Sequence, residues 1–213
     1  MSEPCPQLTE AEKADERQKS EALLQFLQAK LESLSLAQKQ ALHDELKETV
    51  ESALRDLSKK LFRRTDLVLK NPQEEFRIKW GLHSTEDAFS SLDRATIEWG
   101  KSYFKSNTIT LLKVISFAPK EIIREVVVHE VMHLLYPRVE TGSLGQSLPP
   151  THLLSAVSEY PKDRQTEELW VREMVLRLGF DERRITFWEL AVEQRGDNWR
   201  PLYYKLKKEQ KRP

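Results

Sequence analysis

The chain holds one cysteine, Cys5, in 213 residues, and that scarcity removes two architectures at once. An internal disulfide needs two thiols, and a cysteine-rich zinc site needs several. A reducing, intracellular compartment is the default for such a chain. Net charge is missing too. The 34 Lys and Arg balance 34 Asp and Glu, so no global field draws in nucleic acid or an anionic membrane. The opening MSEPCPQLTEAEK has neither the basic start nor the apolar core of a secretory signal. No stretch reaches the roughly 18 apolar residues that a membrane-spanning helix requires. These absences predict a soluble, cytoplasmic protein with no membrane partner and with nucleic acid disfavoured. The length suits one domain of about 150 residues plus an appendage, enough for an enzyme.

Glycine and proline are absent from residues 9–32 and 36–62, which are rich in Gln, Glu, Lys, Leu and Ala. Both segments therefore predict long helices, expected as an antiparallel hairpin covering residues 1–64. In the second, Leu42, Leu46, Val50, Ala53, Leu57 and Leu61 recur at steps of three and four, and Ser35 stands where a helix cap belongs. That stripe packs on the first helix and the core, or else offers a partner surface or a cover over an active site. Composition shifts after Arg64, and residues 65–213 predict a second domain. The β-rich patches Leu67–Leu69, Phe76–Trp80, Ala95–Trp99 and Thr108–Leu111 predict the strands of a small antiparallel sheet. The pattern I-x-W-G occurs at Ile78–Gly81 and again at Ile97–Gly100, as two paired strands ending at similar turns would give. Pro119 and Pro137 bracket a helix over 119–136. Another helix is predicted over 164–178, closed by Gly179, and a further one over about 183–194. Between them lie a loop at 138–150 and an apolar patch, Leu153–Val157. The basic tail from Lys205 to Arg212 reads as a solvated end. The fold class is α+β.

Most of the functional information sits in His129-Glu130-Val131-Met132-His133, a His-Glu-x-x-His motif inside an apolar run. On a helix, residues four apart share one face about 6 Å apart along the axis, so both imidazoles can reach one metal ion. On a strand they would lie roughly 13 Å apart and could not. Ile122, Ile123, Val126, Val127, Val131, Met132, Leu134 and Leu135 predict a helix buried nearly all round. Two His and a Glu on such a helix need partners, and a metal satisfies all three together. Zinc is the ion this motif suggests, with Glu130 beside it as the base for an activated water. A structural His pair is the alternative.

A catalytic zinc takes three protein ligands and keeps one position open. The metzincin continuation would place Gly at 136 and His at 139, but those positions hold Tyr136 and Val139. Two options remain. In the gluzincin arrangement a second helix supplies a Glu, with a small or apolar residue three positions on and apolar residues at six and seven. Glu168 meets this with Val171, Met174 and Val175, whereas Glu167 puts bulky Trp170 at plus three; Glu168 is preferred, although Glu167 lies nearer the centre of that helix's apolar face. The second option is His152, since SprT-like zincins use a downstream His.

The order Ala95-Thr96-Ile97-Glu98-Trp99-Gly100, Thr108-Ile109-Thr110-Leu111, Pro119 and HEVMHLLYP resembles small single-domain zincins, the minigluzincins and SprT-like peptidases, over about residues 66–180. The resemblance implies a twisted, mostly antiparallel sheet stacked on the motif helix, with an edge strand at 108–112 bordering the cleft and a peptide extended along it. It implies one zinc ion held by His129 and His133, with Glu130 as general base for hydrolysis of a peptide or protein substrate. The N-terminal helices would recruit a partner or regulate access; a catalytically silent or latent zincin-fold regulator is the alternative. Tyr136 and Tyr160 read as packed aromatics, with stabilisation of an oxyanion the weaker alternative for either. The chain departs from the gluzincin pattern at Arg172, where an acidic residue or Asn is common.

Overall fold

The segments free of glycine and proline fold as helices. In the computed structural model, α1 spans Glu10–Ser33 and α2 spans Leu36–Phe62, joined through Leu34 and Ser35. Ser35 closes a capping box: its hydroxyl accepts from the Gln38 N–H at 3.3 Å, and its own N–H donates to Gln38 Oε1 at 2.9 Å. Two orphan N–H groups are satisfied there. The structure describes residues 9–63, 67–69, 76–88, 97–135, 139–141 and 164–180. Cys5, Tyr136, His152, Tyr160, the apolar patch at 153–157, the helix expected at 183–194 and the basic tail lie outside the described residues. The remaining elements are β1 (Leu67–Leu69), β2 (Lys79–His83), β3 (Gly100–Tyr103), β4 (Thr108–Leu112), α3 (Lys120–Leu135), β5 (Val139–Thr141) and α4 (Arg164–Arg177). Among the described residues no helix is long and apolar enough to cross a membrane.

The predicted stripe on α2 is real and occupied. Leu46, Val50, Ala53, Leu57 and Leu61 are buried, and α2 packs along α3. Across this contact Arg124 Nη2 donates to Asp56 Oδ2 at 2.6 Å and Nη1 to Ser52 Oγ at 3.3 Å. The guanidinium holds the Asp56 carboxyl below its ordinary value of 3.8. A carboxylate lowered in the fold stabilises above its unfolded pKa and loses that contribution as pH falls through the folded value. The Arg124 side chain is 29% exposed and that of Asp56 43%, so water screens the pair and its worth stays below about 1 kcal/mol. Asp56→Asn should therefore lower the urea midpoint slightly at pH 7, with the gap from wild type closing below pH ~3.8.

The sheet differs from expectation in three ways. It is mixed: β4 pairs in parallel with β2 (Lys79↔Thr108 through His83↔Leu112) and antiparallel with β3 (Gly100↔Leu111 through Tyr103↔Thr108). Residues 108–112 are thus the centre of the order β2-β4-β3 and not its edge. The reason is composition, because Ile109, Leu111 and Leu112 are fully buried and a central strand has both edges paired. The two I-x-W-G segments consequently flank β4 and do not pair with each other. Their glycines are strand residues, Gly81 inside β2 and Gly100 at the start of β3, where a turn was expected. Lastly, β1 leaves this sheet and forms an antiparallel ribbon with β5, which the predicted 138–150 loop concealed.

The fold is α+β with helices predominant. One continuous core runs from Leu23, Leu24 and Leu27 of α1 through α2, β4 and α3 to Trp170, Val171, Met174 and Val175 of α4. α3 lies at its centre, packed by α2, α4, β3 and β4. Its residues are buried except Lys120, Glu121, Arg124, His129 and His133, which matches the all-round burial predicted.

Candidate metal centre

Pro119 immediately precedes α3, and sixteen residues without a glycine or proline carry the helix to Leu135. The i, i+4 spacing then sets His129 and His133 one above the other. Their Nε2 atoms are 3.0 Å apart, and their rings meet at 70° with centroids 4.7 Å apart. The Glu168 carboxylate approaches from α4, with Oε2 at 3.9 Å from His129 Nε2 and Oε1 at 3.7 Å from His133 Nε2. Among the described residues this is the group of His, Cys, Asp and Glu whose ligand atoms all lie within 4.8 Å of one another.

The donor set fits zinc. Two imidazole nitrogens and one Glu168 oxygen lie within 4.8 Å of one another, against about 3.4 Å between ligand atoms bound tetrahedrally at about 2.0–2.1 Å. Two imidazole nitrogens and one carboxylate oxygen are also the chemistry zinc takes in catalytic sites.

Glu168 reaches this position because α4 lies on α3 through Val171, Met174 and Val175, all fully buried. Those are the plus-three, plus-six and plus-seven positions anticipated for it. Trp170 is buried as well, so its bulk does not hold α4 away. The Glu167 side chain and His152 lie outside the described residues, and Arg172 is exposed. α4 ends in a Schellman turn: Gly179 takes φ +81, its N–H donates to Leu176 O at 2.9 Å, and Phe180 N–H donates to Val175 O at 3.1 Å. Lys60 of α2 secures the same end. Its ammonium donates to Leu178 O at 2.6 Å and sits 4.5 Å from the Phe180 ring centroid.

Glu130 is 8% exposed. Burial pushes its carboxyl above the usual range, His129 and His133 pull it back, and the carboxylates of Glu168 and Glu98 push it further up. It lies against the backbone of β3. A Cβ added at Gly100 would stand 2.6 Å from Glu130 Cγ and 3.0 Å from Cδ and Oε1. Glu98, 9% exposed, joins the site from the residues before β3, with its Oε2 3.8 Å from Lys101 Nζ. Neither Glu98 nor Gly100 was singled out from the sequence. A signal existed for Glu98, a charged residue held between the apolar Ile97 and Trp99, but its neighbour in space was not readable. No protein-family model, curated protein or solved structure matches the chain.

Proposed function

We propose that this chain is a zinc-dependent peptidase of the zincin kind, in which His129, His133 and Glu168 hold one ion and Glu130 is the general base. What supports the proposal is the meeting of a Glu from α4 with both imidazoles of α3, each Nε2 lying within 3.9 Å of a Glu168 oxygen. Bound zinc supplies a Lewis acid and brings the pKa of a water toward about 7. His129 and His133 would act as neutral donors through Nε2, and Glu168 through one carboxylate oxygen. Glu130 would take the proton from the attacking water and pass it to the leaving amine. Burial raises its carboxyl above the ordinary value, the direction that favours a base, against the opposing pull of His129 and His133.

β3 borders Glu130 and, among the described residues, pairs on one side only, with β4. An extended peptide substrate is therefore assigned to β3, not to residues 108–112. A reducing, cytoplasmic compartment suits a chain with one cysteine.

Protein purified without chelator should carry one zinc per chain, and it should cleave denatured casein in a reaction stopped by 1,10-phenanthroline and restored by zinc. Zinc affinity should fall as pH is lowered, because the ligands must be deprotonated to bind. Zinc binding without cleavage of casein or of a peptide library would leave the silent regulator standing in place of the enzyme. Failure to bind zinc would remove the enzyme and leave only a metal-free regulatory scaffold.

A further inference from the structure

We propose that Gly100 is a positioning residue for Glu130, and that its missing side chain is what allows the Glu130 carboxylate to stand beside the His129, His133 and Glu168 donors. The contact itself is independent of the function proposed above; its effect on turnover rests on that function.

Among the described glycines the close approach is specific to Gly100. Gly100 and Gly81 end the same I-x-W-G pattern, yet a Cβ at Gly81 would meet only Thr110 Cγ2 at 4.0 Å, an ordinary contact. At Gly100 the added carbon would overlap Glu130 Cγ at 2.6 Å, with Cδ and Oε1 at 3.0 Å. Cγ sits near the root of the side chain, so a shift of the terminal carboxylate cannot relieve the overlap. Relief needs another χ1 rotamer, and a helix disfavours one of the three. It must also be found inside a helix packed by α2, α4, β3 and β4, where Glu130 is 8% exposed. Any side chain at 100 thus turns the carboxylate away from its place or drives β3 off α3. Neither movement touches the zinc ligands directly, since His129 and His133 project from other positions of α3 and Glu168 comes from α4.

A set of five proteins tests this: wild type, Gly100→Ala, Glu130→Ala, the double variant, and Gly81→Ala as control. In metal-free protein Gly100→Ala should lower Tm by about 3–8 °C when Glu130 is present, as overpacking does. In the Glu130→Ala background, where the overlapping atoms are gone, the same substitution should shift Tm by less than about 2 °C. Zinc affinity, read by competition with a chromophoric chelator, should stay within about threefold of wild type. On a fluorogenic peptide kcat should fall at least about tenfold with KM unchanged, and Gly81→Ala should match wild type in all three readouts. An equal Tm loss in both backgrounds would overturn the proposal, because position 100 would then act through some other neighbour. Full kcat in Gly100→Ala would overturn it too. If wild type cleaves no peptide, the peptidase function falls, and the Tm cycle alone decides the contact.

Discussion

Glu168→Ala should weaken zinc binding by at least about a hundredfold, the upper end of what losing an outer-shell partner costs, since under the proposed function a ligand itself is lost. The fold should survive. The Glu168 side chain is 40% exposed, and the contacts that seat α4 on α3 belong to Val171, Met174 and Val175, so Tm of the metal-free protein should scarcely change. A chelator competition titration beside a thermal melt reads both quantities. His152→Ala and Glu167→Ala are the informative companions, because each was a candidate for the same role. Loss of zinc in His152→Ala with zinc retained in Glu168→Ala would transfer the third ligand to the 142–163 segment.

Glu130→Gln should separate binding from turnover. The amide keeps the shape of the carboxylate and leaves His129, His133 and Glu168 in place, so zinc should bind as before. Hydrolysis should drop by about 10²- to 10⁴-fold, the usual contribution of a general base. Stability of the metal-free protein should move the other way. Burial raises the carboxyl of Glu130 above its ordinary value, so the folded state holds that proton more tightly than the unfolded chain. Its contribution to stability is complete below the unfolded pKa and is lost as pH rises through the folded one. Above the folded pKa the ionised carboxylate is a net cost, and Gln removes it. Melts at pH 7.5 should place the variant above wild type, with the difference shrinking toward pH 4. A lower Tm across that range would mean that the site stabilises the charge instead of tolerating it.

What could be read from the sequence divides along the range of the interactions involved. Ser35 with Gln38, the α2 stripe, the all-round burial of α3 and the Gly179 stop are set by residues within a turn or two, and spacing displays them. The burial of Val171, Met174 and Val175 was legible in the same way, whereas the preference for Glu168 over Glu167 rests on the gluzincin pattern against the periodicity of the helix. Strand order was not legible in the same way. Two segments with the same I-x-W-G pattern lie on opposite sides of β4, and nothing within either records its neighbour. The place of β4 at the centre depends on the burial of Ile109, Leu111 and Leu112 together, which alternation suggests and only packing decides. Gly100 could be interpreted only once the side chain lying over it was known. Glu98 reads as an ordinary strand residue until its charge is found to act on Glu130.

The clamp of Lys60 on the end of α4 bears on how fast an ion would leave. α3 is enclosed on nearly every side, so its amides should exchange with solvent only in the larger openings of the domain, and the two imidazoles lie on that segment. α4 is different: Arg172, Leu176 and Arg177 face solvent, and a helix with one open side can detach by a local opening of lower free energy. Glu168 would then be the ligand that lets go first, leaving two nitrogens that hold zinc far more weakly. The off-rate of the ion would be governed by the bond from Lys60 to Leu178 O and the Phe180 ring beside it, at the far end of the helix from Glu168.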